Sequence, residues 1–224
     1  MRKEWGRVLN RSEITMREEM YQFFASFFLK EPSEGLLEGL RIVLPSLKED
    51  FQGEEAILQL ERLLTTYTEK GRRLEDFQQD FYDLFFVPIS GRYAPAVESV
   101  LLHHQFWGEA ERDLAERYRR AWFYPDDLEI YPPLKQLGMA DYLGFELAYM
   151  AHLCNMETYS GMGIRKRVEQ EEAEILDLHL LLFVNRYLPK LQEAGEETLY
   201  FPMLQLLQRF IEKDRQLLSC DGGM

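Results

Sequence analysis

Three aspartates, Asp76, Asp80 and Asp83, recur at i, i+4 and i+7, and Phe77, Phe81, Leu84 and Phe85 recur beside them. On a helix this spacing sets an acidic ridge next to an aromatic stripe. Such a pair suits a ligand that is basic at one end and apolar at the other; the alternative is a core stripe beside a solvated charged face. The loop that follows adds Tyr93, Pro95, Glu98 and Ser99, a mixture of rigid backbone, aromatic surface and polar groups. Glu98 and Ser99 equally suit the first turn of a helix, where acids are favoured. A second block, Asp141 to His152 (DYLGFELAYMAH), opens on an aspartate placed to cap the helix after it. Within that block Glu146 stands among Phe145, Leu147 and Tyr149, so it is either paired in a core or facing a pocket.

Catalytic chemistry finds less support. A di-metal carboxylate bundle needs Glu-x-x-His pairs that put both ligands on one inward face. None of His103, His104, His152 and His179 has a glutamate three residues before it, and no HExxH motif occurs. Adjacent His103 and His104 point about 100° apart on a helix, which suits chelation poorly. Gly161-Met162-Gly163 lacks the preceding strand and the lysine of a phosphate loop, and reads as a helix-helix turn. Ser99 has no nucleophile elbow around it. Cys154 falls in register with Leu143, Leu147 and Met150, as a core residue would. The expectation is a binding protein without catalytic, metal or cofactor groups.

Stepping along the chain, apolar residues repeat with a period near 3.6 and no two-residue alternation competes. Ser12 can cap a helix running to about Lys30, Ser33 starts a second that ends at Pro45, and a third begins near Glu54. A fourth spans about Leu74 to Pro88. After the loop Val87 to Pro95, helical sequence runs from Ala96 to Trp122, with Gly108 able to split it. Phe123 to Gly138 holds three prolines and reads as irregular. Helix resumes at Asp141, breaks at Ser160 to Gly163, resumes near Val168, and begins a last time near Pro202. The fold class is therefore all-α, a bundle of roughly eight to ten helices in one domain over residues 1–224, with a frayed tail from about 219 to 224.

Composition narrows the function classes. A net charge of −13 argues against nucleic acid, whose phosphates an acidic protein repels, and favours basic partners. The N-terminal MRKEWGRVLNRSE has no apolar segment and does not read as a secretory signal. The longest apolar run, Leu180 to Val184, is far short of a membrane span. Cys154 and Cys220 form neither a disulfide framework nor a redox pair. A cytoplasmic location is expected, with no stable membrane insertion.

Phe81-x-x-Leu84-Phe85, the proline-bearing loop to Glu98-Ser99-Val100, and then Asp141-x-Leu143-Gly144-x-Glu146-Leu147 with Met150-Ala151-His152-Leu153 resemble the TorD/DmsD/NarJ-type redox enzyme maturation chaperones. Ile175-Leu176 to Leu180 and Tyr187-Leu188-Pro189 look like the family's later helix, so the resemblance runs from about Met16 to Ile211. Where that family has E-x-P-D-H, this chain has Gly138-Met139-Ala140-Asp141-Tyr142 and keeps only the aspartate; where the loop often ends in Pro-Pro-aromatic, it reads Pro95-Ala96-Val97. The resemblance implies a chaperone that binds the twin-arginine leader and the apo form of a molybdenum-cofactor oxidoreductase, assisting cofactor insertion and delaying export. On it, Phe81, Leu84, Phe85, Tyr93 and Pro95 are expected at an apolar groove. Asp80, Asp83, Glu98, Asp141 and Glu146 are expected at the basic end, Ser99 beside them, and Tyr142 as a donor in the histidine's place. Phe85→Ala, or charge reversal at Asp141, is then expected to weaken leader binding without unfolding the chain. An all-α ligand-sensing or dimerisation domain of a regulator is the alternative, but it would want a basic helix-turn-helix. A nucleotide hydrolase is the other rival, and it lacks a phosphate loop.

Overall fold

A computed structural model describes residues 9–69 and 71–219. Among these the chain is built from helices and has no strand: α1 Arg11–Leu29, α2 Glu34–Asp50, α3 Glu55–Glu69, α4 Leu74–Phe85, α5 Glu98–His103, α6 Glu109–Arg120, α7 Pro132–Leu137, α8 Leu143–Tyr159, α9 Met162–Ile175, α10 Leu181–Gly195 and α11 Tyr200–Ser219. A wide π-helical turn, Leu176–Leu180, joins α9 to α10, and a short 3-10 turn, Pro125–Asp127, interrupts the proline-rich connection. The expected all-α bundle is what forms. The tail expected beyond Ser219, with Cys220, and the N-terminal stretch through Val8 lie outside the described residues.

Helix starts and stops follow local chemistry, but α9 starts at Met162 directly after Gly161 rather than near Val168, and three further corrections arise. Asn10, not Ser12, caps α1: its side chain accepts from the Glu13 amide at 3.1 Å while the Asn10 amide donates to Glu13 Oε2 at 2.9 Å. Pro45 does not end α2, which continues to Asp50. The proline lies on the exposed face, so the helix forgoes one hydrogen bond and gains the burial of Leu47 beyond it. The stretch from Phe123 to Gly138 is less irregular than expected, since Pro132 and Pro133 start α7 with the fixed φ that a first turn needs.

Helices α1 and α8 pack together more extensively than any other pair of the described elements. Gly144 makes this possible near the start of α8: a Cβ there would lie 2.7 Å from Leu29 Cδ2 and Cγ. Buried side chains from every helix except the short α5 join a single hydrophobic cluster. Buried almost all round its first three turns, α8 is the central helix, which is why its sequence carries almost no amphipathic signal.

Candidate functional site

The aromatic stripe of α4 is core. Phe77, Phe81, Leu84 and Phe85 are 1%, 0%, 0% and 4% exposed. The Phe81 ring lies 5.4 Å from that of Tyr131 and 5.5 Å from that of Phe85, and Phe85 packs edge-on to Tyr200 at 4.7 Å. These side chains therefore do not line an open groove. The expectation that Phe85→Ala leaves folding intact is corrected, because truncating a buried phenylalanine costs about 3–5 kcal/mol.

The acidic ridge faces the chain's own arginines. Arg92 Nη1 lies 2.9 Å from Asp80 Oδ1 and 3.6 Å from Asp83 Oδ2, and Arg72 pairs with the other oxygen of Asp80. Burial pushes the Asp80 carboxyl up, against the pull of both arginines. Asp76 accepts from the Arg73 amide at 2.8 Å at the start of α4. Beside the ridge opens a polar groove of about 820 Å³, lined among others by Asp76, Asp80, Glu193, Glu196 and Glu197 against Arg72 and Arg92. Glu193, Glu196 and Glu197, from the end of α10 and the turn after it, had no part in the sequence argument.

From that ridge residues 92–97 run as an extended strap, entering α5 at Glu98, through a slot between the end of α4, the start of α8 and α10. Arg92 Nε donates to Ala194 O at 3.0 Å. The Ala94 amide donates to Leu84 O at 2.8 Å and Ala94 O accepts from the Tyr187 hydroxyl. Ala96 O accepts from the Leu143 amide at 2.9 Å, the Glu98 amide donates to Asp141 O at 2.9 Å, and Val97 and Tyr142 form an isolated antiparallel bridge. Tyr93 and Pro95, expected at the groove, alternate outward and are half-buried. The two sequence blocks are thus brought together, but by backbone rather than by an open surface.

At the far end of the strap four expected residues lose contact with solvent. Glu98, Ser99, Asp141 and Glu146 are 2%, 0%, 0% and 0% exposed. Asp141 does not cap its own helix: Tyr142 takes that place without a capping bond, and Asp141 Oδ2 instead accepts from the Ser99 amide at 2.8 Å in the first turn of α5. Tyr142 donates its hydroxyl inward, to Phe28 O at 2.8 Å. Glu98 Oε2 meets His179 Nδ1 at 2.8 Å, and His179 Nε2 meets Asp113 Oδ2 at 3.0 Å. Burial pulls the His179 imidazole down, but its two carboxylate partners outweigh that and hold it above its ordinary value. This histidine was legible only as one more inward position of its helix.

Glu146 is neither paired nor facing an opening. Both of its oxygens are buried without a hydrogen-bond partner. Burial, and then the charges of Glu98 and Asp141, push its carboxyl well above the ordinary range and so favour its neutral form. A raised carboxyl stabilises the fold fully below the unfolded value and loses that contribution as pH rises towards the folded one. Glu146→Gln is therefore expected to match the parent near pH 4.5 and to melt above it at pH 8. Thermal unfolding followed at both pH values checks this, and equal midpoints at pH 8 would mean that Glu146 is solvated.

A second buried ionic cluster escaped the sequence argument. Arg17, 0% exposed, meets Asp214 at 2.5 Å, Glu172 at 2.6 Å and Glu157 at 3.0 Å, and Tyr21 donates to Asp214 at 2.6 Å. Its signal was present, since Ile14, Arg17, Tyr21, Phe24 and Phe28 share one helix face and a charge stands in the apolar stripe. Among the described residues no group of three or more His, Cys, Asp and Glu is arranged to hold a metal ion, and no helix is long and apolar enough to cross a membrane. A family model described as nitrate reductase delta subunit matches residues 46–188, a span that holds the ridge, the strap, and Glu98, Asp141 and Glu146. No curated protein and no solved structure matches the chain.

Proposed function

Because the chain belongs to the nitrate reductase delta subunit family, a family of chaperones for molybdoenzyme maturation, we propose that it binds the N-terminal twin-arginine leader of an apo-molybdoenzyme in the cytoplasm until the cofactor is in place. It does so by binding alone, with no catalytic step. The observation that carries this reading is the acid-rich groove beside Asp76 and Asp80. Five carboxylates, from Asp76, Asp80, Glu193, Glu196 and Glu197, face two guanidiniums there, an excess that attracts a basic segment and leaves room for it.

The energetics divide the work between the leader's two ends. Exposed ion pairs contribute about 0–1 kcal/mol each, so the acids set orientation and association rate more than affinity. Each apolar leader side chain that becomes buried contributes about 1.5–3 kcal/mol. The path from the groove to the inner end of the strap runs past Asp80 and Asp83, which hold Arg92, and ends where Asp141 holds the Glu98 and Ser99 amides, with Tyr93 and Pro95 half-exposed above it. Phe81, Leu84 and Phe85 support that path from beneath, and a leader would touch them only with the strap raised.

Titration calorimetry with a synthetic twin-arginine leader tests the reading. Reversing the exposed groove acids in Glu193→Lys/Glu196→Lys/Glu197→Lys should leave the fold intact and weaken binding by about tenfold, with a shallower salt dependence. Unchanged affinity would put the basic end elsewhere, and a leader that does not bind the parent chain at all would sink the proposal.

A further inference from the structure

We propose that the slot between α4, α8 and α10 is the seat of an extended peptide of the form arginine–any–small–any–small, and that residues 92–98 are the chain's own occupant of it. This rests on the leader-binding reading above and names the peptide class that the same site takes.

The strap is held as a bound peptide is held. Its backbone is gripped by groups of other elements: Leu84 O and the Tyr187 hydroxyl at Ala94, the Leu143 amide at Ala96, and Asp141 O at Glu98. Side chains alternate, with Ala94 and Ala96 inward at 1% and 0% exposed and Tyr93 and Pro95 outward. Main-chain bonds that give affinity and alternate pockets that give selectivity are the mode by which proteins grip extended peptides. Each of the two inward places is occupied by a methyl group and shut off from solvent, so a small side chain is what this packing selects. At the outer end the Arg92 guanidinium sits between Asp80 and Asp83, where the basic end of a leader was expected. Dimensions agree: Ala194 to His179 on the π turn and α10 is about 22 Å at 1.5 Å per residue, and Arg92 to Glu98 extended is about 20 Å at 3.3 Å per residue.

The strap is fastened unequally. Its inner end is buried, with the Glu98 and His179 side chains 2% and 6% exposed. Its outer end is not: the Arg92 side chain is 35% exposed, Gly91 before it holds φ at 78°, and Ile89 at the tip is 94% exposed. The strap therefore opens from the Arg92 end, hinging where glycine tolerates a change of backbone. An incoming arginine takes the place of Arg92 between the aspartates, and the residues after it replace Tyr93 to Val97 in the ladder. The leader's affinity is then lowered by the fraction of chains whose strap is closed.

The probe is a fluorescent peptide with the strap's own sequence, Ser90 to Glu98, titrated by anisotropy onto the full chain. Arg92→Ala, which unfastens the strap, should bind it at least about fivefold more tightly than the parent; Arg92→Lys, which keeps the charge and loses the fork, should fall between them. Replacing the probe's two inward alanines by leucine should abolish binding. Equal affinity for parent and Arg92→Ala, or binding to neither, overturns the slot, and undiminished binding of the leucine probe overturns the small-residue rule. A twin-arginine leader should displace the probe. Displacement supports the peptide class; a probe that prefers Arg92→Ala but resists the leader upholds the slot and sinks the leader reading.

Discussion

Arg17→Met is expected to cost about 3–5 kcal/mol and to leave a chain that refolds best in acid. The guanidinium is the single cation within 4.0 Å of Asp214 and Glu172 among the ion pairs of the described residues, and it shares Glu157 with Arg165. All three carboxylates are buried. Removing the cation leaves their charge uncompensated in a medium that cannot solvate it, and that penalty dominates the lost hydrogen bonds. Even in the intact network, burial pushes the Glu172 carboxyl up to about 7, against the pull of Arg17. In the variant the folded-state values of Glu172 and Glu157, both already raised by burial, must rise further, because the Arg17 charge that lowered them is gone. Groups with raised values stabilise below their unfolded pKa and lose that contribution as pH rises, so the variant should recover stability as pH falls through the carboxylate range. Urea unfolding at pH 5 and pH 8 reads this directly. A variant equally stable at both, or one no weaker than the parent, would show that solvent reaches the cluster.

Phe81→Ala should cost about 3–5 kcal/mol as well, through a cavity rather than a charge. Its ring is 0% exposed and lies within 5.1–6.2 Å, centroid to centroid, of Phe86, Tyr131, Phe85, Tyr82 and Tyr200. Edge-to-face pairs of this kind contribute about 0.5–1.5 kcal/mol beyond their area. The consequence reaches the site, because the Ala94 amide is held by Leu84 O, one turn along the same helix. A leader-binding defect in this variant would thus report a loosened scaffold. Phe81→Leu, which keeps most of the volume, should retain both stability and leader binding. Chemical denaturation of the two variants distinguishes the cases, and a Phe81→Ala chain of parental stability would mean that the aromatic cluster can collapse onto the gap.

Much of this molecule was legible one segment at a time. The 3.6-residue recurrence of Phe77, Phe81 and Phe85 or of Leu37, Leu40 and Leu44 located helices because a helix must bury one stripe to pay for its ordering. Pro45 misled because a missing amide is cheap on an exposed face, and exposure is set by what packs on the other side. Asp141 misled for a related reason: an aspartate before a helix is a cap by local rules, yet here the neighbouring turn at Ser99 lies closer to its carboxylate. The strap could not be read as extended, since Tyr93-Ala94-Pro95-Ala96-Val97 has no two-residue polarity; from Tyr93 to Ala96 its alternation is between half-buried and buried, which depends on α8 and α10.

The sequence by itself determined the helices, the acidic surface and, through its two motif blocks, the family. Those properties are carried by residues within a turn or two of one another. Only the tertiary structure decided which acids have a cation and which do not. Asp80 meets Arg92 across 12 residues, Glu98 meets His179 across 81, and Arg17 meets Asp214 across 197, while Glu146 meets no partner for its oxygens at all. A carboxylate's charge, and hence whether it can receive a ligand, follows from its desolvation and from the distance to the nearest opposite charge. Both are fixed by how remote helices pack, and neither is written in the spacing along the chain.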